Sequence, residues 1–111
     1  MHALIAAAGE PGPHVLVGHS YGGLIVRLHA STYPEGVSGL VLVDALAEGI
    51  QDAETQEQWI VQRTLMEGDI SEALVLYPAI ERLDPDLSFA QIRAAPPLRP
   101  MPLIVLSADR P

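Results

Sequence analysis

His14-Val15-Leu16-Val17-Gly18-His19-Ser20-Tyr21-Gly22-Gly23-Leu24-Ile25-Val26-Arg27-Leu28 changes its periodicity in mid-run. From His14 to Gly18 it is almost wholly apolar and β-branched, the pattern of a strand covered on both faces in a parallel sheet. From Tyr21 or Gly22 to about Tyr33, Leu24, Ile25 and Leu28 recur at helical spacing, and Pro34 with Glu35-Gly36 ends the run. Between the two lies Gly18-x-Ser20-x-Gly22, so the stretch predicts a strand, a sharp turn and a helix of about three turns.

The same grammar extends on both sides. Val37 to Val43 holds a second buried-strand run closed by Asp44, which makes a β-α-β unit, hence parallel and right-handed. Pro102-Leu103-Ile104-Val105-Leu106-Ser107 is a third run. Upstream, His2 to Ala8 predicts the last two turns of a helix, stopped by Gly9 and Glu10-Pro11-Gly12-Pro13, so the chain is expected to begin mid-fold.

From Ala45 to Pro100 the character turns acidic and helical. Helices are expected over Asp52 to about Met66, Ile70 to about Leu83 (two short pieces, because Pro78 interrupts the pattern) and Ser88 to about Ala94. Residues Pro96 to Pro102 predict a stiff linker back to the sheet. The organisation expected is a core over 1–44, a helical cap and linker over 45–100, and a return strand over 101–111. Trp59, Ile60, Leu65 and Met66, with Leu74, Val75 and Ile80, are expected to pack cap against core, with a substrate-facing role left open for Trp59 and Met66.

Composition narrows the function classes. The chain has 111 residues, enough for one domain, and 49% of them are apolar, so a modest aliphatic core is expected. Its net charge is −8, and every base is an arginine, which argues against a nucleic-acid partner or an anionic membrane surface. There is no cysteine, hence no disulfide frame, thiolate nucleophile or Cys-based metal site. The first residues lack both a basic leader and the length of a membrane span, so a cytoplasmic location is expected.

The turn carries the chemistry. A serine on a tight strand-to-helix turn has a strained backbone that only small neighbours permit, which gives Gly18 and Gly22 a steric reason; Gly23 adds room for the helix against the sheet. The helix N-terminus favours developing negative charge, and the Tyr21 N–H is the expected oxyanion donor. A second donor would come from a loop after an earlier strand, and no such strand precedes His14. The segment has neither a Gly-Lys-Ser/Thr ending nor Gly-x-Gly-x-x-Gly spacing, so phosphate and dinucleotide loops are set aside. Asp52, Glu54 and Glu57 complement a helix start, and no metal is expected.

Pro13 to Gly23, with Gly18-His19-Ser20-Tyr21-Gly22-Gly23 at its centre, resembles the nucleophile elbow of the α/β-hydrolase superfamily, and the following helix and the Leu40 to Asp44 strand stand in family order. The resemblance covers about residues 2–44 and 102–109. It implies a partial α/β-hydrolase fold: a mostly parallel sheet with helices on both faces and a helical cap inserted after Asp44. It implies Ser20 as the nucleophile, and an acid after the strand ending near Ser107. Members often place that acid three positions after a small residue, which from Ala108 lands on Pro111. Asp109, two residues earlier than that spacing, is the first candidate acid, and Asp44, at the end of the preceding strand, the alternative. Either Asp also reads simply as a strand-end turn cap.

The family order of nucleophile, acid and histidine requires a His after the acid, and no His follows His29. His19 adjoins Ser20 and is expected to point away from it, lining the elbow. His29 lies nine residues into the helix, out of hydrogen-bond reach. His2 and His14 read as solvent or strand-edge residues. The expectation is thus a fragment of a cofactor-free serine hydrolase acting on a small-molecule ester or related acyl bond through an acyl-Ser20 intermediate, inactive as 111 residues because the base lies elsewhere. The alternative is a non-catalytic remnant that binds a partner through the exposed strand edge His14 to Gly18.

Overall fold

A computed structural model describes residues 1–67, 71–79 and 83–108. Helix α1 (His2–Ala8) ends at Gly9, whose φ of 67° supplies the left-handed cap that a Cβ would disfavour. Strand β1 (His14–His19) leads through the elbow into α2 (Gly22–Thr32). A single 3₁₀ turn, Pro34–Gly36, then delivers β2 (Val37–Val43). Among the described residues four helices follow, in the segment expected to form a cap: α3 (Gly49–Ala53), α4 (Gln56–Glu67), α5 (Ser71–Leu76) and α6 (Pro85–Ala94). Strand β3 (Leu103–Leu106) closes the order.

The strands form a parallel sheet in the order β1-β2-β3, with Leu16 opposite Leu40 and Leu40 opposite Leu103. Helix α2 packs over β1 and β2. The core between them is Leu16, Val26, Ala30, Val37 and Leu40, and the Pro-rich linker tucks Leu98 and Met101 against it. This is the partial α/β architecture expected from the sequence. The expected burial of β1 on both faces fails among the described residues. Leu16 is buried under α2, but Val15 and Val17 are 61% and 64% exposed on the other side, and Ile104 and Leu106 of β3 continue that uncovered surface. A β-branched run declares that it suits a sheet interior; it does not carry the layer that would cover it.

The cap departs from its expected boundaries for local reasons. The helix expected over Asp52 to Met66 is broken in two. Thr55 Oγ1 accepts the Gln58 N–H at 3.2 Å while Gln58 Oε1 accepts the Thr55 N–H at 2.9 Å, a reciprocal capping box that starts α4 afresh. Helix α6 begins three residues early, because Asp84 caps it by accepting the Leu87 N–H at 3.0 Å and Pro85 fits the first turn. Helix α5 stops at Leu76 before Pro78, as expected; the second short piece runs into residues 80–82, outside the described residues.

Cap packing is led by Phe89, fully buried on α6, which lies against α2. The Trp59 ring meets Phe89 at 5.3 Å between centroids. Ile60, Leu65 and Val75 are exposed, which corrects their expected packing against the core. The Met66 side chain and Ile80 lie outside the described residues.

One carboxylate ties the cap helices together. Asp86 accepts from Gln51 Nε2 of α3 at 3.1 Å, from Trp59 Nε1 of α4 at 3.0 Å and from Arg63 of α4 at 2.7 Å. The Arg63 guanidinium foremost, with Trp59 and Gln51 assisting, holds the Asp86 carboxyl below its usual range despite partial desolvation. Its contribution is therefore present above the ordinary carboxylate range and lost as pH falls through the depressed value. Both partners of the ion pair are more than a third exposed, so the hydrogen bonds matter more than the charge. Asp86→Ala is expected to loosen α3 and α4 from α6 at a cost of roughly 1–3 kcal/mol, seen as faster tryptic cleavage after Arg63.

At the opposite end, His29 is 8% exposed within an aromatic group: the His2 ring stacks on Tyr33 at 3.8 Å and stands 6.1 Å from His29. Burial, then the neighbouring His2, pushes the His29 pKa below the usual imidazole value of 6.5. Between those two values the unfolded chain binds the extra proton, so stability is full above about pH 6.5 and declines as pH falls below it. The urea midpoint of the chain is expected to drop between pH 7.5 and 5.5, and His29→Phe to flatten that slope.

Candidate active site

The elbow forms where the sequence places it. Ser20 has φ 53°, in the left-handed region that a residue with a Cβ adopts at a cost. Three backbone bonds over-determine it: the Ser20 N–H donates to the Val43 carbonyl at 3.2 Å, and the Ser20 carbonyl accepts from the Gly23 N–H at 3.1 Å and the Leu46 N–H at 2.9 Å. The strained residue is thus clamped between the last residue of β2 and the chain just beyond it.

Close approach explains two of the three elbow glycines. A Cβ at Gly18 would stand 2.6 Å from Val26 Cγ2, 2.7 Å from the Gly22 carbonyl oxygen and 2.8 Å from Gly23 Cα. One at Gly23 would overlap the Ala45 methyl, so Gly23 makes room for the segment after β2. At Gly22 a Cβ would meet nothing within 4 Å, and the steric reason expected for it is absent.

Tyr21 caps α2, and among the described residues its N–H has no acceptor; the first helical N–H groups lie on the same turn as Ser20. Its hydroxyl reaches Ser88 Oγ of α6 at 2.6 Å, a link from elbow to cap that no sequence pattern announced. His19 is exposed, on the opposite side of β1 from the buried Gly18. His2 and His29 belong to the aromatic group around Tyr33, and His14 begins β1 at the end of the strand away from Ser20.

The two candidate acids fare differently. Asp109 lies outside the described residues. Asp44 follows β2 with φ 41°, and its Oδ1 accepts the Ala108 N–H at 2.6 Å. Beside it a cleft of about 540 Å³ opens between the ends of β2 and β3, lined by Leu42, Asp44, Ala45, Val105, Ser107 and Ala108, with Ser20 outside its lining. Arg27 of α2 grips Glu48 through two bonds of 2.7 and 3.1 Å, and this guanidinium foremost holds the Glu48 carboxyl below its usual range. That fork pins the segment after β2 to the helix that follows Ser20. Among the described residues no group of three or more His, Asp or Glu is arranged to hold a metal ion, and no helix is long and apolar enough to cross a membrane.

No curated protein matches the chain at a significant level. Among solved structures, a protein described as a candidate lipase from Acinetobacter baumannii AYE is similar at 24% identity and a TM-score of 0.43 over 83% of the chain. The chain spans 32% of that protein's length. The model of the α/β-hydrolase fold family matches residues 1–71, which include the elbow, β2 and the first cap helices. With more than half of its residues matched by that model, the chain belongs to the α/β-hydrolase fold family.

Proposed function

We propose that this chain carries the nucleophile and the adjoining half of the oxyanion hole of a serine hydrolase that cleaves an ester or related acyl bond. The observation that carries this reading is the positive φ of Ser20 on a turn between a parallel strand and a helix N-terminus. A serine gains nothing structural from that strain; an exposed Oγ at the top of a sheet gains reach toward a substrate carbonyl.

In this mechanism a base takes the Ser20 hydroxyl proton as Oγ attacks the acyl carbon. The Tyr21 N–H donates to the developing oxyanion, and collapse expels the alcohol, which takes up the proton. Water then attacks acyl-Ser20, releases the acid and regenerates the hydroxyl. Asp109 is the acid that orients the base, and a histidine outside residues 1–111 is that base. The 111 residues are on this reading a piece of a longer, cofactor-free enzyme, and alone they do not turn over. The substrate is a small molecule.

A fluorophosphonate tests this on the full-length gene product. The adduct should map to the tryptic peptide ending at Arg27, in which Ser20 is the single serine from Met1 onward. A protein that takes no label there is not a serine hydrolase of this kind. One observation favours a binding remnant instead: β1 is an edge of the described sheet and exposes Val15 and Val17. That reading requires an unlabelled Ser20 and capture of a partner strand along His14 to Gly18.

A further inference from the structure

The bond between Asp44 and Ala108 replaces something specific. In a parallel ladder, a residue donates its N–H to the carbonyl just before its partner and accepts at its own carbonyl from the N–H just after that partner. Val43 pairs with Leu106, and the Asp44 N–H donates to the Leu106 carbonyl at 2.8 Å, so the next partner is Ser107 and the next donor is the Ala108 N–H. The regular acceptor would be the Asp44 carbonyl. Asp44 instead has φ 41°, the chain leaves the strand direction there, and Oδ1 accepts that N–H at 2.6 Å. All four residues of β3 are more than half exposed, so few packing contacts hold the end of that strand.

We propose that Asp44 is a positioning residue: its carboxylate stands in for the last carbonyl of the β2–β3 ladder and sets the Ser107–Ala108 step that leads into Asp109. The proposal rests on the serine-hydrolase reading above. It assigns to Asp44 a role different from the triad acid: Oδ1 holds the backbone of the neighbouring strand. It also explains the residue type. Asp and Asn tolerate the left-handed conformation better than other residues with a Cβ, and both offer an oxygen at the right reach, whereas Gly accepts the conformation and offers none.

Two variants separate the roles. Asp44→Asn keeps both the conformation and the acceptor; Asp44→Gly keeps only the conformation. In the full-length enzyme, the Asn variant should be acylated at Ser20 by a fluorophosphonate within about threefold of the wild-type rate. The Gly variant should be slower by about ten- to a hundredfold, since a small misplacement of the acid is enough. Exchange of the Ala108 amide should quicken by about tenfold or more in the Gly variant only, the effect of losing one hydrogen bond. An Asn variant slowed by about 10³–10⁴-fold with Ala108 still protected would make Asp44 the triad acid and overturn the proposal. So would a Gly variant that leaves both readouts unchanged. A wild-type enzyme that takes no label refutes the serine-hydrolase reading itself, and the exchange comparison then still decides whether the carboxylate clamps the strand.

Discussion

On the proposed mechanism, replacing Ser20 with alanine is expected to lower kcat/KM of the full-length protein toward a p-nitrophenyl ester by about 10³–10⁶-fold, with circular dichroism and thermal midpoint close to wild type. The size follows from the role. Without Oγ no acyl-enzyme forms, and what remains is the oxyanion donor and substrate binding, which retain a residual acceleration over water. The unchanged fold follows from where Ser20 is held: the Val43 carbonyl and the Leu46 N–H grip its backbone, and alanine presents the same backbone groups. A Ser20→Ala enzyme that keeps a tenth of its activity would move the nucleophile elsewhere in the protein.

Gly18→Ala is expected to have the largest effect on stability, at the upper end of the roughly 1–3 kcal/mol seen for overpacking. Of the three atoms that the new methyl would meet inside 3 Å, only Val26 Cγ2 belongs to a side chain that can rotate; the Gly22 oxygen and Gly23 Cα are backbone. Relief therefore requires that the first turn of α2 move off β1. That turn carries the Tyr21 N–H, so the rate of Ser20 acylation should fall together with the urea midpoint. Gly22→Ala provides the contrast: it adds a methyl in open space at the first helical residue and should leave both quantities near wild type. Equal damage from the two substitutions would mean that the Gly18 contacts are not what holds the elbow.

The core of the fold was legible because each element announces itself twice. β1, α2 and β2 carry both a periodicity and a terminator, from Gly18 to Pro34 to Asp44, and Gly9 marks the end of α1 in the same way. The strand-turn-helix setting likewise revealed Ser20, which a bare Gly-x-Ser-x-Gly would not have singled out. The cap was less legible, since its apolar residues do not form one stripe: Ile60 and Leu65 face water while Phe89, with Pro85 of the same helix, is buried. The break before α4 could have been read from Thr55-x-x-Gln58, a capping box that the broader acidic pattern obscured. Nothing in the sequence told Gly22 from Gly18, because their difference lies in Val26 and in the path of α2. The uncovered side of β1 was equally silent, for the side chains that suit a buried strand are the same whether or not a neighbouring layer is present.

The Tyr21–Ser88 hydrogen bond gives the cap a hold on the reacting end of the molecule. Caps in modular enzymes invite exchange, as though selectivity could be grafted from one to another while the chemistry stays put. Here the residue whose amide would receive the oxyanion is moored by its phenol to α6, so a transplanted cap has to bring a hydroxyl to the place of Ser88 or leave Tyr21 adrift. Grafts that respect this mooring should alter which acyl groups are taken; grafts that ignore it should also blunt the rate for every one of them.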